Sequence, residues 1–354
     1  MKQLIKNQLS PRQEILIQFI QSHSHATNKE LLNHLQQYFE MISRPTIIRD
    51  LNDLIAKNLI LRHSQGRGVW YEYGVRELLA WMNPENYFKV EPDQRLLKPG
   101  RLDLTQSKEW GNVFSAQEKA QLEEKTKTLQ GHIQNYNGAA LKKELERITI
   151  EFAWKSSHIE GNTYTLLDTE RLIREHKEAP GKQHGEALMI LNHKTALEYT
   201  WTHAEDYQQV TVKQIEELHD LISKDLGIET GIRKKPVGII GTAYLPHDNQ
   251  FQIREALEQL VTLINDIKDP YTKALIALGG LAYIQPFEDG NKRTSRTLTN
   301  AILIAYNCCP LSYRSIDEIE YKKAIIILYE QHSIAYLKQL FMEQYEFAVK
   351  NYFQ

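Results

Sequence analysis

A short polar loop between two apolar helical segments constrains this 354-residue chain more than any other feature. The apolar run from Ala274 to Tyr283 is too short to cross a membrane and has the length of a buried helix. A turn containing Pro286 and Gly290 follows, and helical periodicity is clear again from Leu298. The pattern predicts a helix, a tight polar loop and a second helix.

The start of the second helix has the composition of an anion site. Backbone N–H groups at a helix N-terminus have no partner within the helix, and here they belong to Gly290 and Asn291. Arg293 and Arg296 add positive charge where the helix dipole disfavours it, so an external anion is expected. Asp289 beside them is a candidate ligand for a divalent cation that bridges phosphates. The alternative is a capped helix whose basic first turn is solvated.

The stretch from Gln285 to Arg296 resembles the signature of the Fic (Fido) family, His-x-Phe-x-Asp/Glu-Gly-Asn-Gly-Arg-x-x-Arg. The positions that match in register are Phe287, Asp289, Gly290, Asn291, Arg293 and Arg296. Two positions differ, since Gln285 replaces the family's His and Lys292 replaces its usual Gly. The resemblance implies a mainly α fold, a Fic-type helical bundle with one small β-hairpin flap, that binds ATP and Mg²⁺.

The resemblance also implies a role for each residue of the loop. In relatives the His takes the proton from a target hydroxyl that attacks the α-phosphorus of ATP, which Gln285 cannot do near neutral pH. Asp289 is the expected metal ligand. The expected nucleotide-binding residues are Gly290, Asn291, Lys292, Arg293 and Arg296, and the expected catalytic positions are Gln285, Asn291, Arg293 and Arg296.

Three functions stay open at this point. The first is a protein adenylyltransferase that modifies a hydroxyl-bearing target protein or itself, with activity reduced or lost because of Gln285. The second is a nucleotide-responsive DNA-binding regulator without transfer activity. The third is a phosphoryl transferase, because a Lys at the position of Lys292 also occurs in the toxin-like branch of the family and Lys is a compact phosphate ligand.

A second stretch, at the end of a predicted helix, contains a Glu that needs a cationic partner. Ser156 and Glu160 lie one turn apart on one face, and a Glu near a helix C-terminus is unfavourable unless a cation holds it. Many Fic proteins carry an inhibitory Ser/Thr-x-x-x-Glu-Gly/Asn motif, whose Glu pairs with the last Arg of the signature, here Arg296. Gly161 and Asn162 complete the motif. The alternative is a surface cap with a solvated Glu160.

Residues 1–74 resemble a winged helix-turn-helix domain of three helices and a two-stranded wing. Two β-like runs, Leu59–Arg62 and Val69–Tyr73, surround a glycine turn. These residues carry nine Lys and Arg against six Asp and Glu, a net charge of +3, whereas the whole chain has −2. Duplex DNA is the expected partner, and the expected contacts are Arg44, Thr46, Arg49 and Arg67. A protein-interaction winged helix is the alternative.

The winged helix and the Fic-like loop set the remaining domain assignments. Residues 75–114 are predicted to be a connecting segment that packs on the core, because they are too rich in Trp, Tyr and Leu for a free linker. Residues 115–354 would form the Fic domain, including an inhibitory helix at about 139–160. Within this domain the expected target-docking flap consists of Gly241, Thr242, Ala243 and Tyr244, which would pair with an extended target segment.

Cysteine content and hydropathy bear on location. The adjacent Cys308 and Cys309 cannot supply a disulfide framework or a zinc site, which suits a reducing cytosol. Met1–Gln13 lacks a sustained apolar segment, so no secretory leader is expected. We therefore expect a cytoplasmic protein without a membrane partner. Homodimerisation is a further expectation, because winged helices often read paired half-sites.

Overall fold

The computed structural model describes residues 9–23, 25–56, 59–65, 68–73 and 77–353. They divide into two units, the first comprising the residues up to Val90 with Ser333–Ala335 and the second the rest. The division therefore falls inside the segment predicted as a connection. The elements of the first unit are α1 Pro11–Ser22, β1 Ala26–Thr27, α2 Asn28–Leu35, α3 Arg44–Ala56, β2 Ile60–Gln65, β3 Gly68–Tyr73 and α4 Pro84–Tyr87.

The first unit is built around one small hydrophobic core. Leu16, Leu31 and Leu51, one from each of the first three helices, are fully buried and pack with Tyr71 of β3. β3 is the central strand of an antiparallel sheet, with β2 on one side and β1 on the other. The winged helix is thus confirmed. The structure adds the third strand β1, which at two residues is too short to leave an alternating sequence pattern.

The regular elements in the described part of the second unit are helices. Its α-helices are α5 Ser107–Trp110, α6 Ala116–Ile133, α7 Gly138–Ile159, α8 Leu166–Glu175, α9 His184–Thr202, α10 Val212–Ser223, α11 Gln250–Asp266, α12 Pro270–Ile284, α13 Asn291–Ala305, α14 Glu318–Gln331 and α15 Ala335–Asn351. Taking the described residues together, no helix is long and apolar enough to cross a membrane.

The central helix of this unit is α12. Every residue from Tyr271 to Ile284 is buried, as expected of a helix that is apolar on all sides. Gly280 permits a close approach of α11, because a Cβ there would lie 2.3 Å from the Leu260 side chain. The next helix, α13, is also buried along almost its whole length. The predicted polar loop is therefore held at both ends by buried helices.

The segment before α11 is not the β-hairpin that the sequence predicted. Residues 224–249 contain turns and extended stretches but no strand, and Gly241 lies in a turn with a φ of +85°. Side chains satisfy its carbonyl groups instead. Arg233 donates to His247 O, and Arg95 donates to Gly241 O. Side-chain donors thus reach two carbonyl groups of a segment that has no strand ladder.

Candidate functional site

The loop between α12 and α13 is a tight turn bounded by two left-handed residues. Gln285 ends α12 with a φ of +52°, and Gly290 precedes α13 with a φ of +79°. Asn291 closes the loop from within, since its Nδ2 donates to Phe287 O and its Oδ1 accepts from Phe287 N–H, both at 2.8 Å. Because this side chain is used inside the loop, the part of Asn291 that remains for a ligand is its backbone N–H.

Phe287 is held by a histidine that the sequence analysis did not single out. The ring of His219, on α10, stacks on Phe287 with the ring centroids 3.8 Å apart, and its Nε2 donates to Asp289 O at 3.0 Å. Burial lowers the pKa of His219 to about 4, so this imidazole is neutral. No local pattern marks the residue, because it lies 70 positions from Asp289.

Arg296 lies at the centre of a buried polar cluster. Its Nε donates to Ser156 Oγ and its Nη2 donates to Ser156 O, both at 2.9 Å. The same Nη2 lies 2.9 Å from Glu160 Oε1. The ring of Tyr321 is centred 5.4 Å from Arg296 Cζ. The structure thus brings together Ser156, Glu160 and Arg296, which the sequence predicted to meet.

The carboxylate of Glu160 is shared between two cations. Its second oxygen, Oε2, lies 3.1 Å from Lys292 Nζ. Burial by itself raises the pKa of Glu160, but the charges of Arg296 and Lys292 outweigh it and lower the pKa from 4.5 to about 2. Glu160 directly follows the last residue of α7, Ile159. The two cations therefore offset an unfavourable position at the negative end of a helix dipole.

The rest of the predicted inhibitory motif shapes the turn after α7. Gly161 has a φ of +98°, in the region that favours glycine. Asn162 donates from Nδ2 to Glu186 O at 2.8 Å and accepts at Oδ1 from Tyr164 N–H at 3.0 Å. These residues fix the path of the chain that carries Glu160.

Arg293 and Asp289 form a second ion pair on the loop. Arg293 Nη2 lies 3.0 Å from Asp289 Oδ2, with the arginine 2% exposed and the aspartate 70% exposed. Burial lowers the pKa of Arg293, which nevertheless remains a cation because arginine titrates far above neutral pH. Its Nη1 has no hydrogen-bond partner within the described part of the chain. One buried donor is therefore available to an anion.

A cleft of about 470 Å³ opens onto these groups. Its lining combines the charged residues Glu160, Lys292 and Arg293 with apolar side chains such as Ile239 and Ile325. A cleft of mixed character suits a ligand with both an anionic and an apolar part. Arg296 is fully buried, and its ion-pair partner Glu160 lies between it and the cleft lining.

Gln285 lines the same cleft with its amide nitrogen already engaged. Nε2 donates to Ala282 O at 2.6 Å and to Tyr329 Oη at 3.0 Å. The carbonyl oxygen of the side chain is a hydrogen-bond acceptor, and an amide has no basic atom near neutral pH. The residue can orient a hydroxyl group and cannot remove its proton.

The four predicted flap residues divide into anchors and exposed positions. Tyr244 is buried and stacks on Tyr329 with the ring centroids 5.0 Å apart. Thr242 Oγ1 donates to the buried carboxylate of Glu330 at 2.6 Å. The exposed members are Gly241 and Ala243. A partner that lies on this segment would therefore meet mainly backbone.

In the first unit, the exposed face of α3 is free of acidic residues. Its carboxylates turn towards α1, where Arg12 Nε pairs with Asp50 at 2.8 Å and Gln13 Nε2 donates to Asp53 at 2.6 Å. The exposed residues of the helix are Arg44, Pro45, Ile48, Arg49 and Asn52. Thr46 is half-buried, with its Oγ1 2.9 Å from Ser43 Oγ. Arg67, the predicted contact at the wing tip, lies outside the described residues.

Two family descriptions match the chain. The Fic/DOC family matches residues 209–303, which include the loop and the segment before α11. A DeoR-like helix-turn-helix domain matches residues 12–69. The chain therefore contains a segment that matches Fic/DOC proteins, preceded by a segment that matches DeoR-like helix-turn-helix domains.

The curated relatives that match this chain include protein adenylyltransferases. Protein adenylyltransferase Fic from Nematostella vectensis is 28% identical over 186 residues, which are 51% of this chain and 43% of the relative. Protein adenylyltransferase fic-1 from Caenorhabditis elegans is 26% identical over 180 residues, 49% of this chain and 35% of the relative. The chain thus spans less than half the length of these relatives.

Solved structures share the fold of the Fic domain. Fic-1 from Caenorhabditis elegans superposes with a TM-score of 0.58 at 20% identity, over 66% of this chain and 71% of that chain. A Fic domain containing signaling protein from Bacteroides thetaiotaomicron superposes with a TM-score of 0.53 at 24% identity, over 66% of this chain and 96% of that chain. At these identities the likeness establishes the fold.

A buried histidine completes the arginine cluster of the Fic domain. His193, on α9, has its Nε2 2.9 Å from Ser156 Oγ and its Nδ1 2.8 Å from Met189 O. Burial and the charge of Arg293 lower its pKa to about 3. Sequence analysis missed this residue, because a single His in a helical pattern gives no signal and α7 meets α9 only in the folded protein.

Asp289 offers an exposed carboxylate to a divalent cation. Asp289 lines the cleft, and its Oδ1 accepts from Gly290 N–H at 2.6 Å. Mg²⁺ is often held by one or two carboxylates together with waters and substrate phosphates, so this residue fits such a site. When bound, Mg²⁺ would neutralise charge on the polyphosphate. Within the described residues, no three His, Cys, Asp or Glu side chains gather into a metal cage.

Proposed function

We propose that the Fic domain is an ATP-binding unit of the protein adenylyltransferase type. Glu160 blocks the nucleotide site, and Gln285 reduces or abolishes the transfer activity. The observation that carries this proposal is the Glu160 carboxylate, with one oxygen on Arg296 and the other near Lys292. Two cations that converge on one carboxylate mark a place where a phosphate group can bind. The resemblance to adenylyltransferases supports ATP as the ligand.

Displacement of Glu160 would release two cations next to a third. Arg296 and Lys292 lose their common partner, and the buried Nη1 of Arg293 is already unpaired within the described residues. The backbone N–H groups at the start of α13 add further donors for phosphate oxygens. Asp289 supplies the carboxylate for Mg²⁺. The apolar lining of the cleft leaves room for the base of the nucleotide.

Adenylyl transfer requires a proton acceptor, and the residue at the position of the family's base, Gln285, is not one. The target hydroxyl oxygen forms a bond to the α-phosphorus, and the bond from that phosphorus to pyrophosphate breaks. The hydroxyl proton must go to a base, and such general base catalysis contributes roughly 10²–10⁴ in rate. Gln285 occupies the base position and has no basic atom. Slow or absent transfer to a target protein, or to the chain itself, is the expected result.

Labelled ATP tests the proposal directly. The unaltered protein, Gln285→His, Glu160→Gly and the double variant are each incubated with ATP labelled at the α- or the γ-phosphate. We expect incorporation of the α label to be strongest in the double variant. Rapid α labelling of the unaltered protein would contradict the reduced activity. Incorporation of the γ label would instead support phosphoryl transfer assisted by Lys292.

A second function is favoured by the acid-free face of α3. We propose that the first unit binds duplex DNA, with α3 in the major groove and Arg44 and Arg49 on phosphates or guanine edges. Retention of Asp50 and Asp53 by α1 keeps negative charge away from this face. Together with the Fic domain, this describes a nucleotide-responsive DNA-binding regulator. Selection from random DNA duplexes, with and without ATP, tests this proposal. The absence of salt-sensitive binding to any duplex would favour a protein-interaction module.

A further inference from the structure

One carbonyl group fixes the hydrogen-bond directions around His193. Met189 O can only accept, so Nδ1, which lies 2.8 Å from it, carries the ring proton. Nε2 is then an acceptor, and the Ser156 hydroxyl 2.9 Å away donates to it. With its proton committed in this way, Ser156 Oγ presents lone pairs to Arg296 Nε at 2.9 Å. The low pKa of His193, about 3, keeps this arrangement in its neutral form.

Two contacts hold Arg296 without any help from Glu160. Nε donates to Ser156 Oγ, and Nη2 donates to Ser156 O. Both acceptors belong to one fully buried residue of α7. Removal of the Glu160 carboxylate therefore deletes the ion pair and leaves the guanidinium bonded along one edge. The same orientation that meets Glu160 would then meet another anion.

We infer that His193 is a positioning residue for Arg296. It orients the Ser156 hydroxyl, and this hydroxyl keeps the guanidinium aimed at a phosphate group of the nucleotide after Glu160 has left. The inference rests on the proposed ATP-binding function. A packing role is the competing account, because His193 also meets the ring of Phe152 edge-on, with the centroids 5.9 Å apart. The two accounts differ in which ligand a change at His193 affects.

A comparison of ATP with AMP separates positioning from packing. Affinities for both nucleotides are measured by calorimetry in a Glu160→Gly background, for His193→Leu and for His193→Gln, whose amide oxygen can replace the Nε2 acceptor. We expect His193→Leu to weaken ATP binding about tenfold, the size of one hydrogen bond to a charged group, and AMP binding less than twofold. His193→Gln should recover most of the ATP affinity. Equal losses for both nucleotides, or no rescue by Gln, would overturn the inference.

A second measurement needs no ligand. Hydrogen exchange of the Arg296 Nε–H, followed by NMR in the unaltered background and assigned with Arg296→Lys, should accelerate in His193→Leu and slow again in His193→Gln. The matched control is Thr200→Val, which removes a different buried hydrogen bond from the same helix. Unchanged exchange in His193→Leu would also overturn the inference. Failure of Glu160→Gly to bind ATP would refute the proposed function instead, and the exchange measurement would still decide the role of His193.

Discussion

Lys292 Nζ lies 3.1 Å from Glu160 Oε2, the carboxylate oxygen that Arg296 Nη2 does not contact. Glycine usually occupies this position in the signature that the loop resembles, so the second cation on Glu160 is a feature of this chain. The carboxylate thus holds two cations of α13 at once. In the proposed function, Glu160 closes the cleft and the two cations that it pairs with supply the phosphate ligands.

Replacement of Lys292 by Ala should have different effects on ATP affinity in two backgrounds. In Glu160→Gly the change removes a phosphate ligand, and we expect ATP affinity to fall about three- to tenfold. With Glu160 present, the change removes the same phosphate ligand but also makes the Glu160 carboxylate easier to displace. The loss and the gain in ATP affinity should then largely cancel. Calorimetry measures both. Lys322→Ala, at another lysine of the cleft, is the matched control and should not depend on Glu160.

The stability of the protein should fall in acid partly because of Glu160. Its pKa is about 2 in the folded protein, whereas an unperturbed Glu in the unfolded chain has a pKa of 4.5. Between these two pH values the unfolded chain therefore binds more protons than the folded protein. The contribution of the ionised group is therefore complete above about pH 5 and decreases as the pH falls towards 2. Urea unfolding from pH 7 to pH 3 should show a shallower decline for Glu160→Gln. Parallel curves would argue against the paired carboxylate.

Restoration of a base should give transfer a pH dependence. In Glu160→Gly, we expect Gln285→His to raise the rate of AMP incorporation by roughly 10²–10⁴. The rate should increase with pH until the new imidazole is neutral, because only the neutral form accepts a proton. Gln285→Ala is the control and should remain slow. A flat pH profile for the His variant would mean that this position does not exchange protons with the substrate.

Removal of one basic residue from α3 should weaken DNA binding uniformly. Arg49→Ala is expected to lower affinity for all duplexes and to reduce the slope of log affinity against log salt by about one, if its contact is to phosphate. A loss confined to particular sequences would instead place Arg49 on a base edge. Arg174→Ala, at an exposed arginine of the second unit, serves as the control. Fluorescence anisotropy with selected and random duplexes measures these effects.

Much of this architecture could be predicted because it leaves local patterns. The buried α12, the turn at Gly290 and the restart of the helix follow from hydropathy and turn residues over a short stretch. The winged helix likewise followed from two β-like runs around a glycine turn. The β-hairpin that the resemblance implied around Gly241 was wrong, since side chains such as Arg233 donate to that backbone and no ladder forms among residues 224–249.

The sequence by itself determined the loop, its charged residues and the shared helix face of Ser156 and Glu160, because spacing along a helix fixes which residues share a face. The resemblance to the Fic signature added the expectation that Glu160 would meet Arg296. Tertiary structure alone decided that Lys292 joins the same carboxylate and that the Asn291 side chain is consumed inside the loop. It also decided that His193 is hydrogen-bonded to Ser156. These contacts depend on how α7, α9 and α13 pack, and packing between helices distant in sequence has no local period from which to predict it.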